Sequence, residues 1–126
     1  MHALVIEDQF LIAALIEDEL RELGYTSFDI VDREPEAVQA ALRRCPDLIT
    51  ADDRLTDGSG VLAVQQICED QVIPVVFVVG SPDEIAPPVP FAAVIGKPFG
   101  GSALQAAIGQ AVVLARQHAR AWMTRP

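Results

Sequence analysis

Cysteine is scarce in this chain: Cys45 and Cys68 are the only two among 126 residues. Neither has cysteine or histidine partners at metal-ligand spacing, which excludes a zinc module, and two cysteines are too few for a disulfide scaffold. Both fall on apolar helical faces and are expected to be reduced core thiols of a cytoplasmic protein. Apolar runs long enough to span a membrane are missing. So is a basic N-terminal region with a cleavage site, so no secretion signal is expected. No repeat, low-complexity segment or linker divides the sequence, and a single domain over residues 1–126 is expected. Positive charge is sparse, with nine Lys and Arg against 18 Asp and Glu and a net charge of −9. An acidic body argues against direct nucleic-acid binding. No acid occurs after Glu84, whereas Arg116, Arg120 and Arg125 follow Pro98. Those arginines read as a solvated helix end, favoured by the C-terminal dipole. His2 and His118 lie near the chain ends, and no partner is expected for either.

What the chain does have is an alternation of short apolar runs with amphipathic segments. Residues 3–6 predict a buried strand. Residues 9–23 place Leu11, Ile12, Leu15, Ile16, Leu20 and Leu23 at helical spacing, with charged residues opposite and Gly24 as the stop. Residues 26–31 predict a second strand, and Pro35 fits the first turn of a helix with inner face Ala37, Val38, Ala41, Leu42 and Cys45. Residues 48–52 predict the third strand, and a helix near 60–70 packs with Val61, Leu62, Val64, Ile67 and Cys68. Residues 75–79 are almost continuously β-branched, as in strands buried on both faces. Ser81-Pro82-Asp83-Glu84 predicts a helix start with a capping box, but Pro87, Pro88 and Pro90 limit that helix to a turn or two. Residues 91–95 predict a fifth strand. The last helix runs from near Ser102 to about Trp122, with Leu104, Ile108, Ala111, Val112 and Ala115 inward. At 1.5 Å per residue it is about 30 Å long, so its final turns overhang the core. Strand–helix alternation of this kind predicts an α/β fold with a doubly wound, five-stranded parallel sheet and a shortened fourth helix.

The polar ends of three predicted strands carry the chemistry. Ala3-Leu4-Val5-Ile6 ends in Glu7-Asp8, the third strand ends at Asp52, and Phe91-Ala92-Ala93-Val94-Ile95 ends in Gly96-Lys97-Pro98-Phe99. Right-handed crossovers bring those ends together at the carboxyl edge of the sheet, where open α/β sheets hold ligands. Carboxylates so clustered call for a cation. Asp8 and Asp52 are candidate Mg²⁺ ligands, with Glu7 acting through a water and the Arg54 backbone carbonyl as a further donor. A carboxylate beside such an ion can attack phosphorus and form an acyl phosphate, with Lys97 pairing with the phosphoryl group. Asp52, ending the central strand, is the candidate nucleophile, and Asp53 is expected to point away from it.

Val5-Ile6-Glu7-Asp8, Pro46-Asp47-Leu48, the stretch from Asp52 to Gly60 and Lys97-Pro98-Phe99 together resemble the receiver domain of two-component response regulators. The resemblance covers essentially the whole chain. It implies a (βα)5, flavodoxin-like fold and a phosphoryl group taken by Asp52 from a sensor histidine kinase or phosphotransfer protein. It also implies phosphoryl binding by Lys97 and Gly80, and a cis peptide before Pro98 that aims the lysine. Two positions depart from the family pattern. Val79 stands where a Thr or Ser hydroxyl ends strand 4, and Val94 where an aromatic switch residue precedes the lysine. Val is nearly isosteric with Thr but lacks the hydroxyl, so the hydroxyl–aromatic relay is expected to be absent. The region from Pro74 through the prolines to Val94 resembles an atypical subgroup common among alphaproteobacterial receivers, which nonetheless keeps the threonine.

The leading expectation is a single-domain response regulator, not an enzyme, with output by protein–protein interaction or as a phosphate sink or phosphorelay intermediate. Its expected partners are a kinase or phosphotransfer protein, with no nucleic acid and no membrane. The last helix is a candidate homodimer surface. The alternative is a phosphorylation-independent, receiver-like binding module, favoured by Val79 and Val94 and disfavoured by the intact Glu7, Asp8, Asp52 and Lys97. An aspartate-nucleophile phosphatase would need an acid two residues after the nucleophile, where Arg54 stands.

Overall fold

Short apolar runs separated by amphipathic stretches must bury both faces of each strand, and a sheet sandwiched between helices does this. A computed structural model of the chain describes residues 1–123. Its strands are β1 (His2–Ile6), β2 (Ser27–Val31), β3 (Leu48–Ala51), β4 (Val75–Val79) and β5 (Ala92–Gly96). Its α-helices are α1 (Phe10–Glu22), α2 (Glu34–Arg43), α3 (Gly60–Ile67) and α4 (Gly101–Met123). The strands form one parallel sheet in the order β2-β1-β3-β4-β5. Arg125 lies outside the described residues.

The pleat sorts the core into two halves. Leu4, Ile6, Ile49, Ala51, Val75, Phe77 and Val79 pack with α2 and α3 on one side. Ala3, Val5, Leu48, Val76, Val78 and Ala93 pack with α1 and α4 on the other. Fully burying one such branched side chain stabilises by about 1.5–3 kcal/mol. The helices contribute narrower stripes than their periodicity suggests. On α1 the buried residues are Ala13, Ile16 and Leu20, while Leu11 and Leu15 are exposed. On α2 they are Ala37, Ala40 and Ala41, while Leu42 is exposed, and on α3 Leu62 is exposed. Alanines let these helices approach the sheet closely, and the flanking leucines are then too far round to reach it.

The fourth connection contains no α-helix. Pro82–Glu84 forms a single 3₁₀ turn in which the Glu84 N–H donates to the Ser81 carbonyl at 3.0 Å. The Ser81 side chain makes no capping hydrogen bond, so the expected capping box is not formed. The prolines that follow deny the helix the length on which a cap would act.

Two expectations about side chains are corrected. His2 is buried and has partners: Nδ1 lies 2.7 Å from Ser27 Oγ and Nε2 2.9 Å from Asp29 Oδ2. The β1–β2 register sets His2 opposite Ser27, and Asp29 lies on the same face two residues on, a pairing across strands that chain position could not show. His118 packs its ring against Phe91 at 5.2 Å between centroids. Cys45 is exposed, because α2 ends before it, whereas Cys68 is buried. Burial pushes the Cys68 thiol up to about 11. The thiolate is the reactive form. Iodoacetamide at pH 8 is therefore expected to alkylate Cys45 first, with Cys68 modified only after denaturation. Peptide mapping would show this, and equal labelling of both cysteines in the native protein would contradict it.

Candidate functional site

β1 and β3 are neighbours, with Ile6 in register with Ala51, so Glu7 and Asp52 leave the sheet side by side. Backbone hydrogen bonds hold the strand ends in place: Glu7 N–H donates to Val31 O, Asp52 N–H to Ile6 O and Lys97 N–H to Val79 O, at 2.9, 2.9 and 2.8 Å. The Lys97–Pro98 peptide is cis.

Lys97 joins the two acids. Its Nζ lies 2.8 Å from Glu7 Oε1 and 2.9 Å from Asp52 Oδ2, with Gln9 Oε1 a third acceptor at 3.4 Å. The ammonium is thus ion-paired to both carboxylates and donates hydrogen bonds to Asp52 and Gln9. Glu7 and Asp52 are buried, and charges out of water need such pairing. Burial raises the Glu7 carboxyl, and the Lys97 hydrogen bond and the Gln9 N–H on Oε2 at 3.1 Å oppose that rise only in part. Burial acts to lower the Lys97 ammonium, but its bonds to Glu7 and Asp52 outweigh this and leave it raised. Lys97 thus pairs with Glu7 Oε1, while Glu7 Oε2 accepts from Gln9 N–H.

Asp8 is exposed and receives a long contact from Thr56 Oγ1 at 3.5 Å. One carboxylate oxygen from each of Glu7, Asp8 and Asp52 lies within 4.8 Å of the others. An all-oxygen cluster of this size, with one exposed member, fits a hard divalent cation that keeps several waters. Arg54 lines the adjoining cavity of about 280 Å³, together with Gly80, Ser81 and Lys97.

Asp53 corrects an expectation. β3 ends at Ala51, so strand alternation no longer governs residues 52 and 53. Asp53 lines the same cavity, and its carboxyl is raised by burial and then by the neighbouring Asp52 carboxylate. Its N–H also donates to Asp52 Oδ1 at 2.8 Å. Gln9, Asp53 and Ser81 thus join the site although the motif did not mark them. Gly60 is a further omission. A Cβ there would overlap the Asp52 carbonyl oxygen, so only glycine lets α3 start against the aspartate's backbone. Its signal was the second glycine of Asp57-Gly58-Ser59-Gly60.

Residues 3–109 match the response regulator receiver domain. The chain belongs to that family. It is 36% identical over 114 residues to the phyllosphere-induced regulator PhyR of Methylorubrum extorquens, an alignment covering 86% of this chain and 42% of that protein. The chain thus spans less than half the length of that relative. The solution structure of the receiver domain of Erythrobacter litoralis PhyR has a TM-score of 0.77 at 30% identity, covering 89% of each chain. Bartonella quintana PhyR, described as an anti-anti-sigma factor, has a TM-score of 0.80 at 32% identity, over 95% of this chain and 50% of that one. In this receiver domain the two departing positions are apolar in fact as well as in sequence. Val79 is fully buried at the end of β4, and Val94 is half-buried within β5.

Proposed function

We propose that this receiver domain is a single-domain response regulator that accepts a phosphoryl group on Asp52 from a sensor histidine kinase or phosphotransfer protein, with Mg²⁺ as cofactor. The observation that carries this reading is Lys97 Nζ, held 2.9 Å from Asp52 Oδ2 and 2.8 Å from Glu7 Oε1 beside a carboxylate cluster. Asp8, Asp52 and Glu7, with the Arg54 carbonyl, would hold the ion. When bound, Mg²⁺ neutralises the carboxylates and the incoming phosphoryl oxygens. An Asp52 oxygen forms the new bond to phosphorus as the bond to the donor breaks, with the electron pair returning to the donor nitrogen. Lys97 then turns from the Asp52 carboxylate to a phosphoryl oxygen, losing no charge pairing because Glu7 remains beside it. Gly80 and Ser81 line the same cavity as Lys97 and Asp52. Output is by protein–protein contact, or the domain acts as a phosphate sink or relay intermediate. The description of a relative as an anti-anti-sigma factor supports protein partners.

The direct test is phosphorylation with a small phosphodonor and Mg²⁺, mapped by mass spectrometry. The expected adduct is on Asp52 and is lost in Asp52→Asn. A label on Asp53, or one persisting in that variant, would refute the assignment.

A second reading, a binding module independent of phosphorylation, is favoured by Val79 and Val94, which remove the hydroxyl and the aromatic ring of the family pattern. The same mapping decides between them, since such a module leaves Asp52 unlabelled. The missing hydroxyl is itself testable. A hydrogen bond to a charged group contributes about 1.5–3 kcal/mol, so Val79→Thr is expected to raise phosphoryl occupancy roughly tenfold or more at limiting donor. Occupancy equal to the parent's would show that Ser81 or backbone N–H groups already satisfy the phosphoryl oxygens.

A further inference from the structure

The loop from Asp53 to Gly60 carries one wall of the cavity, yet its own bonds are few. Gly60 N–H donates to Asp53 O at 3.2 Å and Leu55 N–H to Gly58 O at 3.4 Å. Its outer side meets the start of α2, where Arg33 forms a parallel bridge with Asp57 and Glu34, the first residue of the helix, makes the side-chain contacts. Glu34 N–H donates to Asp57 O at 2.9 Å. Its carboxylate accepts from Ser59 N–H through Oε1 at 2.9 Å and from Gln66 Nε2 through Oε2 at 3.1 Å. Gly58 has φ +87° and lies against the same side chain, where an added Cβ would sit 2.5 Å from Oε1. Ser59 in turn caps α3 through its hydroxyl, accepting from Val61 N–H at 3.1 Å. Gly60, the next residue, rests on the Asp52 carbonyl.

We propose that Glu34 is a positioning residue for the cation and phosphoryl pocket. It acts through Gly58, Ser59 and Gly60 on the backbone of Asp52 and Arg54, and does not line the cavity itself. The inference rests on the reading of Asp52, Asp8 and the Arg54 carbonyl as a Mg²⁺ site. A carboxylate at position 34 serves because it accepts two hydrogen bonds at once, one from the loop and one from α3. Gln at this position keeps the acceptor for Ser59, the contact that reaches the loop, and gives up only the bond from Gln66, whose amide still donates to Leu62 O at 3.3 Å.

The test compares parent, Glu34→Ala and Glu34→Gln by Mg²⁺ titration calorimetry, by amide hydrogen exchange at Ser59 and Gly60, and by melting temperature. Leu104→Ala, on the buried face of α4 in the core half opposite α2 and α3, serves as a destabilised control. Glu34→Ala is expected to weaken Mg²⁺ binding by about tenfold, the usual loss when a residue supporting a ligand is removed. It should also speed exchange at Ser59 and Gly60. Glu34→Gln should stay close to the parent, and Leu104→Ala should melt earlier with unchanged affinity. Equal affinity in Glu34→Ala and the parent would overturn the proposal, as would a Glu34→Gln variant as impaired as Glu34→Ala. Should Glu34→Ala fail to fold, Gly58→Ala displaces the same carboxylate and is expected to weaken Mg²⁺ binding likewise, with unchanged affinity overturning the proposal. A parent that binds no Mg²⁺ would refute the metal-site reading. Exchange would still decide the loop contact, since unchanged exchange at Ser59 in Glu34→Ala overturns it.

Discussion

The ammonium of Lys97 is the interaction on which the rest of the site depends. Two carboxylates, Glu7 and Asp52, are buried at adjacent strand ends, where little solvent reaches them to stabilise their charge. Lys97 meets both within 3 Å from the far side of β4. Removing one partner of a buried charge cluster leaves the others uncompensated, which costs more than the cluster contributes when complete. The sheet order therefore serves electrostatics as well as packing. It sets β1 beside β3 and brings the end of β5 across the edge, so three segments far apart in sequence share one charge balance.

That balance also explains what the cavity offers an incoming anion. Asp8 is exposed, Glu7 pairs with the lysine, and one oxygen from each of Glu7, Asp8 and Asp52 lies within 4.8 Å of the others. Val79 and Val94 take the hydroxyl and the aromatic ring out of the arrangement, and the short 3₁₀ turn after β4 replaces a helix. The β1 and β3 ends carry the carboxylates, whereas the β4–β5 side brings Lys97 with two valines in place of the hydroxyl and the ring. The other polar groups on that side, Ser81 and the backbone at Gly80, belong to the loop after β4.

Strand positions and the three polar strand ends were legible in the sequence, because a short continuous apolar run and a carboxylate or lysine just beyond it are local signals. The helices were less so. Leu11, Leu15, Leu42 and Leu62 satisfy helical spacing but lie outside stripes that alanines bring close to the sheet, and spacing alone does not show the angle at which a helix docks. His2 was misread because its partners, Ser27 and Asp29, come from the neighbouring strand. Asp53 was placed on the wrong side because β3 ends one residue earlier than expected, and alternation stops where pairing stops. Glu34 gave no signal at all, since its contact with Ser59 spans 25 residues and exists only once α2 and α3 stand together.

The central claim is that the strand-end carboxylates and Lys97 form a Mg²⁺-dependent phosphoryl acceptor. Beryllofluoride, a phosphoryl mimic, tests it most directly when followed by ¹⁹F nuclear magnetic resonance. The account predicts bound fluorine resonances only when beryllofluoride and Mg²⁺ are both present, and their disappearance in Asp52→Asn. Bound resonances without Mg²⁺, or none under any condition with the folded parent protein, would contradict it.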